Sequence, residues 1–336
     1  MADETRFSDI GKRAAIEALF TGTSYKPFQT PEVETAAGDR MVHAACVLLE
    51  GTDFDLVYFP LRHLGYKAVL RATGEMYASM AHPATLSVVI GISAKLDLPQ
   101  IREVWAGMVT AAREHGYTSV ALDLVPSRNG LSLSVSATGI RSKITTVRCP
   151  KPKSKDLICV SGRLGAAYMG LQLLEHEKVN FDNGVQIDRE SSLGRNKMLV
   201  GAYLKPELSP RIVAELENEE IYPSAGRFVT GGLADAVKSI CEESGLGAKI
   251  YADKIPFEGN SFQVGRELDI DPISAAMNGG DDYQLVFTIP ILALDKFRHD
   301  FQTFDIIGHL AQSEVGAALV TPDGVELPMS AQGWND

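Results

Sequence analysis

Residues 278–290 read NGGDDYQLVFTIP. Gly279 and Gly280 permit a backbone turn that other residues resist, Asp281 and Asp282 set two acids beside it, and QLVFTIP reads as a strand leaving the turn. An acidic turn feeding a strand is common on its own, so its weight comes from what surrounds it. Upstream, DLICVSGRLGAAYMGLQLLE (156–175) reads as strand, glycine turn and helix. Downstream, FDIIGHL (304–310) and GAALV (316–320) read as further strands.

The first half has a similar order. Strands are expected at 41–49, 85–91, 118–124 and 131–138, with helices at 62–80 and 98–115. The stretch ITTVRCPKPKSK (144–155) combines two prolines with a run of basic residues after the alternating strand LSLSVSATG. A boundary is therefore expected there, giving domains 1–147 and 148–336. Strands interleaved with helices predict an α/β fold of α+β layers, each domain a mixed sheet covered by helices.

Composition narrows the function classes. The chain has 336 residues, 45% hydrophobic, enough for two domains of ordinary size. No run of about 18 apolar residues is present, and the start MADET lacks the basic and apolar parts of a secretory signal, so a cytoplasmic protein with no membrane partner is expected. Cys46, Cys149, Cys159 and Cys241 are scattered without a C-x-x-C pair, which argues against zinc and against a disulfide framework. A net charge of −11 disfavours non-specific nucleic-acid binding.

Two acids stand out as candidate metal ligands. On the helix expected at 62–80, Leu64, Ala68, Ala72, Met76 and Met80 recur every four residues as an apolar stripe. Glu75 projects within about 20° of Ala68 and so lies on that stripe. A carboxylate there is costly unless it is paired, hydrated or metal-bound, although a side chain snorkelling at the stripe's edge is an equal alternative. Asp123 leaves the strand TSVALDL just before the loop VPSRNG, where acids bind ligands or cap turns.

Taken together, these segments resemble the thiamine-monophosphate kinases. LLEGTDFDLVYFPLRHLGYKAV (48–69) looks like the segment after that family's T-D metal motif. GGDDYQLVFT (279–288) looks like its G-G-E-D-Y-E-L-x-F-T signature, 156–175 like the opening of its second domain, and AQGWND (331–336) like its terminal G-W segment. The resemblance implies the two-domain fold shared with aminoimidazole ribonucleotide synthases, a homodimer through the N-terminal sheets, and transfer of the γ-phosphoryl group of ATP to thiamine monophosphate with Mg²⁺. It also implies roles by position: Arg148 and Thr230 at the nucleotide, Asp53, Asp281 and Trp334 at thiamine phosphate, Glu75 and Asp123 at the metal. No catalytic residue is singled out.

Several family acids are replaced. The early G-x-G-D-D element has no counterpart in SYKPFQTPEVETAAGDR (24–40), T-D becomes Ala45-Cys46, and the helix S-D becomes Gly74-Glu75. The G-G-D-T loop keeps Asp123 but has Ala121 and Leu122 for its glycines. D-x-S-D-G-L becomes Phe228-Val229-Thr230-Gly231-Gly232-Leu233, Asp53 stands in place of a histidine, and Ala166 in place of an aspartate. The resemblance therefore implies weak or lost kinase activity. Its alternatives are a non-catalytic nucleotide- or thiamine-phosphate-binding regulator and a dimeric scaffold.

Overall fold

The computed structural model describes residues 7–184, 192–302 and 304–333. The first sheet joins β1 (Glu32–Glu34), β2 (Arg40–Leu49), β3 (His82–Ile92), β4 (Ser119–Pro126) and β5 (Ser132–Arg141) in the order β1-β2-β5-β3-β4. β5 pairs antiparallel with β2 and β3, and β4 runs parallel to β3. Side chains alternate as a half-covered sheet requires. Val42, Leu48, Val88, Ile90 and Val135 are buried on one face, whereas Met41, Val47, Leu49 and Val89 stay exposed on the other.

The second sheet has seven strands: β6 (Leu157–Val160), β7 (Ala225–Val229), β8 (Gly247–Tyr251), β9 (Gln284–Ile289), β10 (Asp305–Ala311), β11 (Ala317–Val320) and β12 (Glu326–Pro328). Their order is β12-β11-β8-β10-β6-β9-β7, antiparallel except for β8 with β11. Both sheets are mixed and helix-covered, as the pattern predicts. The short β1, β7, β8 and β12 are additions, too brief for their periodicity to register in the sequence.

Helix α1 (Phe7–Phe20) precedes the first sheet, and α2 (Leu61–Ala78) follows β2. α2 decides the architecture, because it packs on β2 and β5 of the first sheet and on β7 and β9 of the second. It is therefore buried nearly all round, with Leu64, Ala68, Val69, Leu70, Ala72 and Met76 at most 1% exposed. Its outer neighbour is α3 (Leu98–Glu114), which begins with a capping box: Asp97 accepts from the Gln100 amide and Gln100 answers to the Asp97 amide. α2 and α3 touch backbone to backbone at two glycines. A Cβ on Gly65 would lie 1.9 Å from the Val104 carbonyl oxygen, and one on Gly107 would lie 1.9 Å from that of Arg62.

One strand end differs from expectation. β4 continues through Pro126 instead of stopping after Leu124, because an edge strand tolerates proline where no partner needs its N–H. Asp123 therefore sits mid-strand.

Candidate active-site cleft

Three charged residues line one strip of α2 at four-residue spacing: Lys67, Arg71 and Glu75. The first two face the acidic turn brought over by the second sheet. Lys67 is 1% exposed; its Nζ lies 2.7 Å from Asp281 Oδ2 and donates to the Tyr203 carbonyl at 2.8 Å. The ammonium also sits 3.9 Å from the Tyr203 ring centroid and 5.4 Å from those of Phe59 and Tyr283, within cation–π range. Burial pulls its pKa down, and Asp281 works against that pull. One turn on, Arg71 Nη1 lies 3.1 Å from Asp53 Oδ1 and 3.8 Å from Asp281 Oδ1. Asp53 is held in turn by the Leu49 amide at 2.8 Å.

The turn itself is strained. Gly280, Asp281 and Tyr283 have φ of 76°, 61° and 55°, a region that non-glycine residues seldom occupy. Two backbone bonds hold it: Asp281 N–H donates to Thr230 and Tyr283 N–H to Val229, both at 3.0 Å. Only Gly280 of the glycine pair uses positive φ. Gly279 is required for closeness, since a Cβ there would lie 2.4 Å from the Ala275 oxygen. Asp282 points the other way, accepting from the Gly165 and Ala167 amides at 2.9 and 3.3 Å where the helix Ala166–Asp182 begins. Burial pushes its carboxyl up to about 7, with those two amides pulling back.

Glu75 opens instead into a cleft of about 600 Å³ between the two sheets, a volume ordinary for a small-molecule site. The walls are α1, residues 28–31, His43 to Ala45, the end of β7 through Thr230 and Gly231, and the helix Leu233–Ser244. Burial raises the Glu75 carboxyl to about 7, opposed by Arg227 and Arg71. Arg227 is paired with Glu243, and Arg13 with Glu242 while its guanidinium lies 3.8 Å from the Phe28 ring centroid.

Phe228 fills the wall beside Glu75. A Cβ on Gly74 would lie 2.3 Å from its ring, which meets Tyr283 edge-on at 5.3 Å between centroids. Cys46 is also apolar in effect. Its Sγ lies 3.9 Å from the Ala68 oxygen, and burial pushes the thiol up to about 12, so it stays protonated and un-nucleophilic near neutrality.

The sequence-expected site residues thus fall in separate places. Glu75 and Thr230 share the cleft, and Asp53 and Asp281 converge on Arg71. Asp123 lies on the outward face of the first sheet, in register with exposed Val89, while α2 packs on the inward face. It does not meet Glu75. Arg148, on the short helix Lys143–Arg148, is outside the cleft and is held by Glu220 at 2.8 Å and the Tyr222 hydroxyl at 3.1 Å. Trp334 lies outside the described residues. Among the described residues, no group of three or more His, Cys, Asp or Glu is arranged to hold a metal ion. Glu75, Asp235 and Glu243 are the carboxylates that line the cleft, and Phe228 and Gly231 line it at two positions where the family pattern has acids.

Residues 33–141 match the family described as AIR synthase related protein, N-terminal domain. Two thiamine-monophosphate kinases are similar over most of their length. The Synechococcus elongatus protein is 26% identical over 293 residues, covering 86% of this chain and 84% of that one. The Pyrococcus horikoshii protein is 28% identical over 272 residues, covering 80% and 78%. The chain is similar to the thiamine-monophosphate kinases over most of its length. Solved structures agree with the family's fold. Thiamine monophosphate kinase from Aquifex aeolicus superposes with a TM-score of 0.77 at 20% identity, covering 96% of this chain and all of that one. AaThiL complexed with AMPPCP and TMP gives 0.79 at 21% identity, with 98% of each chain covered.

In this chain the two raised carboxyls predict a pH dependence. Glu75 moves from 4.5 to about 7 and Asp282 from 3.8 to about 7. Between those values the folded state holds protons that the unfolded chain releases, so their contribution favours folding at the acidic end and declines as pH rises to about 7. The midpoint of urea unfolding should accordingly rise more at about pH 8 than at about pH 5 when Glu75 is changed to Gln. An equal shift at both values would contradict this.

Proposed function

We propose that this chain carries out the thiamine-monophosphate kinase reaction, ATP plus thiamine monophosphate giving ADP plus thiamine diphosphate, at a rate far below that of the family's ordinary members. The carrying observation is the match to kinases over most of both chains, joined to a cleft whose wall is apolar where the family pattern has acids. Thr230 and Glu75 are assigned to the nucleotide side and Asp53 and Asp281 to the thiamine-phosphate side, with Trp334 assigned there by position alone. A relative of the same fold holds AMPPCP and TMP together, which supports the two-ligand reading.

In phosphoryl transfer the protein mainly aligns donor and acceptor and neutralises phosphate charge. Arg13, Arg227 and Lys12 bring cationic groups to the cleft, whereas Asp235, Glu243 and Glu75 oppose them. Mg²⁺, needed by such reactions, is assigned no protein-held position. Asp123 is on the wrong face to share an ion with Glu75, and Arg148 would have to leave Glu220 to reach nucleotide. The packing of Phe228 against Gly74 and Tyr283 also supports a second reading, a regulator that binds nucleotide or thiamine phosphate without turning it over. Calorimetric titration with ATP, thiamine monophosphate and thiamine diphosphate, each with and without Mg²⁺, separates the two when paired with a turnover assay. No binding by any of them would overturn both.

We also propose the division at 147/148 as the domain boundary and the outward face of the first sheet as a homodimer surface. Exposed Met41, Val47, Leu49 and Val89 on that face support the pairing. Analytical ultracentrifugation at micromolar concentration should show a dimer, and changing Val47 and Val89 together to Lys should yield monomers. A monomeric wild type would sink the proposal. Among the described residues no helix is long and apolar enough to cross a membrane.

A further inference from the structure

Asp53 and Asp281 come from distant parts of the chain and aim at one point. Both Oδ1 atoms face the same guanidinium nitrogen of Arg71, at 3.1 and 3.8 Å. The deeper cation, Lys67, already neutralises Asp281 through its other oxygen at 2.7 Å and is 1% exposed. Arg71 is different. Its side chain is 25% exposed, and those of Asp53 and Asp281 are 21% and 22% exposed, so this second bridge lies where solvent reaches it.

Buried aromatic rings pack behind the pair. The Tyr203 hydroxyl donates to the Asp53 carbonyl at 3.1 Å, and Tyr283 is fully buried with a hydroxyl that has no hydrogen-bond partner. Two carboxylates converging where solvent reaches them form the chemistry that recognises an organic cation. We propose that the Asp53–Asp281 pair is an organic-cation site that the chain fills with its own Arg71 guanidinium, making Arg71 the residue that limits binding of a cationic ring. The proposal rests on the thiamine-phosphate reading of this site, since thiamine carries a permanently charged thiazolium ring.

An external cation entering this place must displace a guanidinium that is tethered and therefore present at high effective concentration. Removing Arg71 leaves two acids against one lysine, an uncompensated negative charge within reach of solvent. Lys67 cannot play this part, because its buried ammonium is fixed by Asp281 and the Tyr203 carbonyl together.

The test is calorimetric titration with thiamine itself, which has the cationic ring and no phosphate, against wild type, Arg71→Ala, Arg71→Gln and Arg71→Lys. The two neutral variants should bind thiamine at least about tenfold more tightly than wild type, a factor that corresponds to about 1.4 kcal/mol. Arg71→Lys should show no comparable gain. Adding Asp53→Asn to Arg71→Ala should remove the gain, because Asn keeps an oxygen for the Leu49 amide but loses the charge. Unchanged thiamine affinity in both neutral variants overturns the proposal, as does an equal gain in Arg71→Lys. Failure of the kinase reading is seen separately, as absence of ATP-dependent turnover of thiamine monophosphate by wild type; a thiamine gain in the neutral variants would survive that result.

Discussion

Purified protein is expected to phosphorylate thiamine monophosphate at least about a thousandfold more slowly than a typical thiamine-monophosphate kinase. Three positions with acids in the family pattern hold Cys46, Phe228 and Gly231 here. A loss of about 1.4 kcal/mol of transition-state stabilisation at each already multiplies to that factor. The thiol of Cys46 is held protonated, and Phe228 is packed into the hollow above Gly74. Changing Cys46, Phe228 and Gly231 together to Asp should make nucleotide binding Mg²⁺-dependent. A Cβ at Gly231 would lie 3.0 Å from Asp235 Oδ2, so the new acid would stand beside Glu75 and Asp235 and need a counter-cation. A steady-state assay showing ordinary family turnover by wild type would refute the expectation.

Asp281→Ala should destabilise the fold by about 3–5 kcal/mol, measured by urea unfolding. The loss arises from Lys67, whose ammonium would remain buried with a carbonyl and aromatic rings but no anion. Removing the charge as well, in Lys67→Met with Asp281→Ala, should recover most of that loss, because the pair then leaves no buried ion. A single-variant cost below about 1 kcal/mol would mean that the ammonium is relieved by water or by loss of its proton.

Periodicity made most of the long elements legible. β2, β3, β5, α2 and α3 announce themselves through alternation or a four-residue stripe, and the turn at Gly280 is readable because few other residues accept its backbone angles. Glu75 was legible as a carboxylate on an apolar face. Lys67 and Arg71 were not singled out, although they share its four-residue spacing, because cations in GYKAVLRA read as solvated until the second sheet supplies Asp281. Their burial is decided by tertiary pairing, which local pattern does not encode. Asp123 sits differently from its reading as a strand end because its strand runs on through a proline at the sheet edge. Asp282 looked like the twin of Asp281, but the backbone turns between them, sending one acid to α2 and the other to the start of the helix Ala166–Asp182.

Arg71 and Glu75 are one turn apart on α2, about 6 Å along its axis, and backbone contact at Gly65 and Gly107 leaves that helix little room to slide. Coupling between the two proposed ligand places would then run through charge. Arg71 helps to hold down a carboxyl that burial raises to about 7. A molecule that draws the guanidinium away from α2 would therefore cause Glu75 to take up part of a proton near neutral pH. Occupancy at the aspartate pair would be written into the cleft as a proton, with no movement of the helix at all.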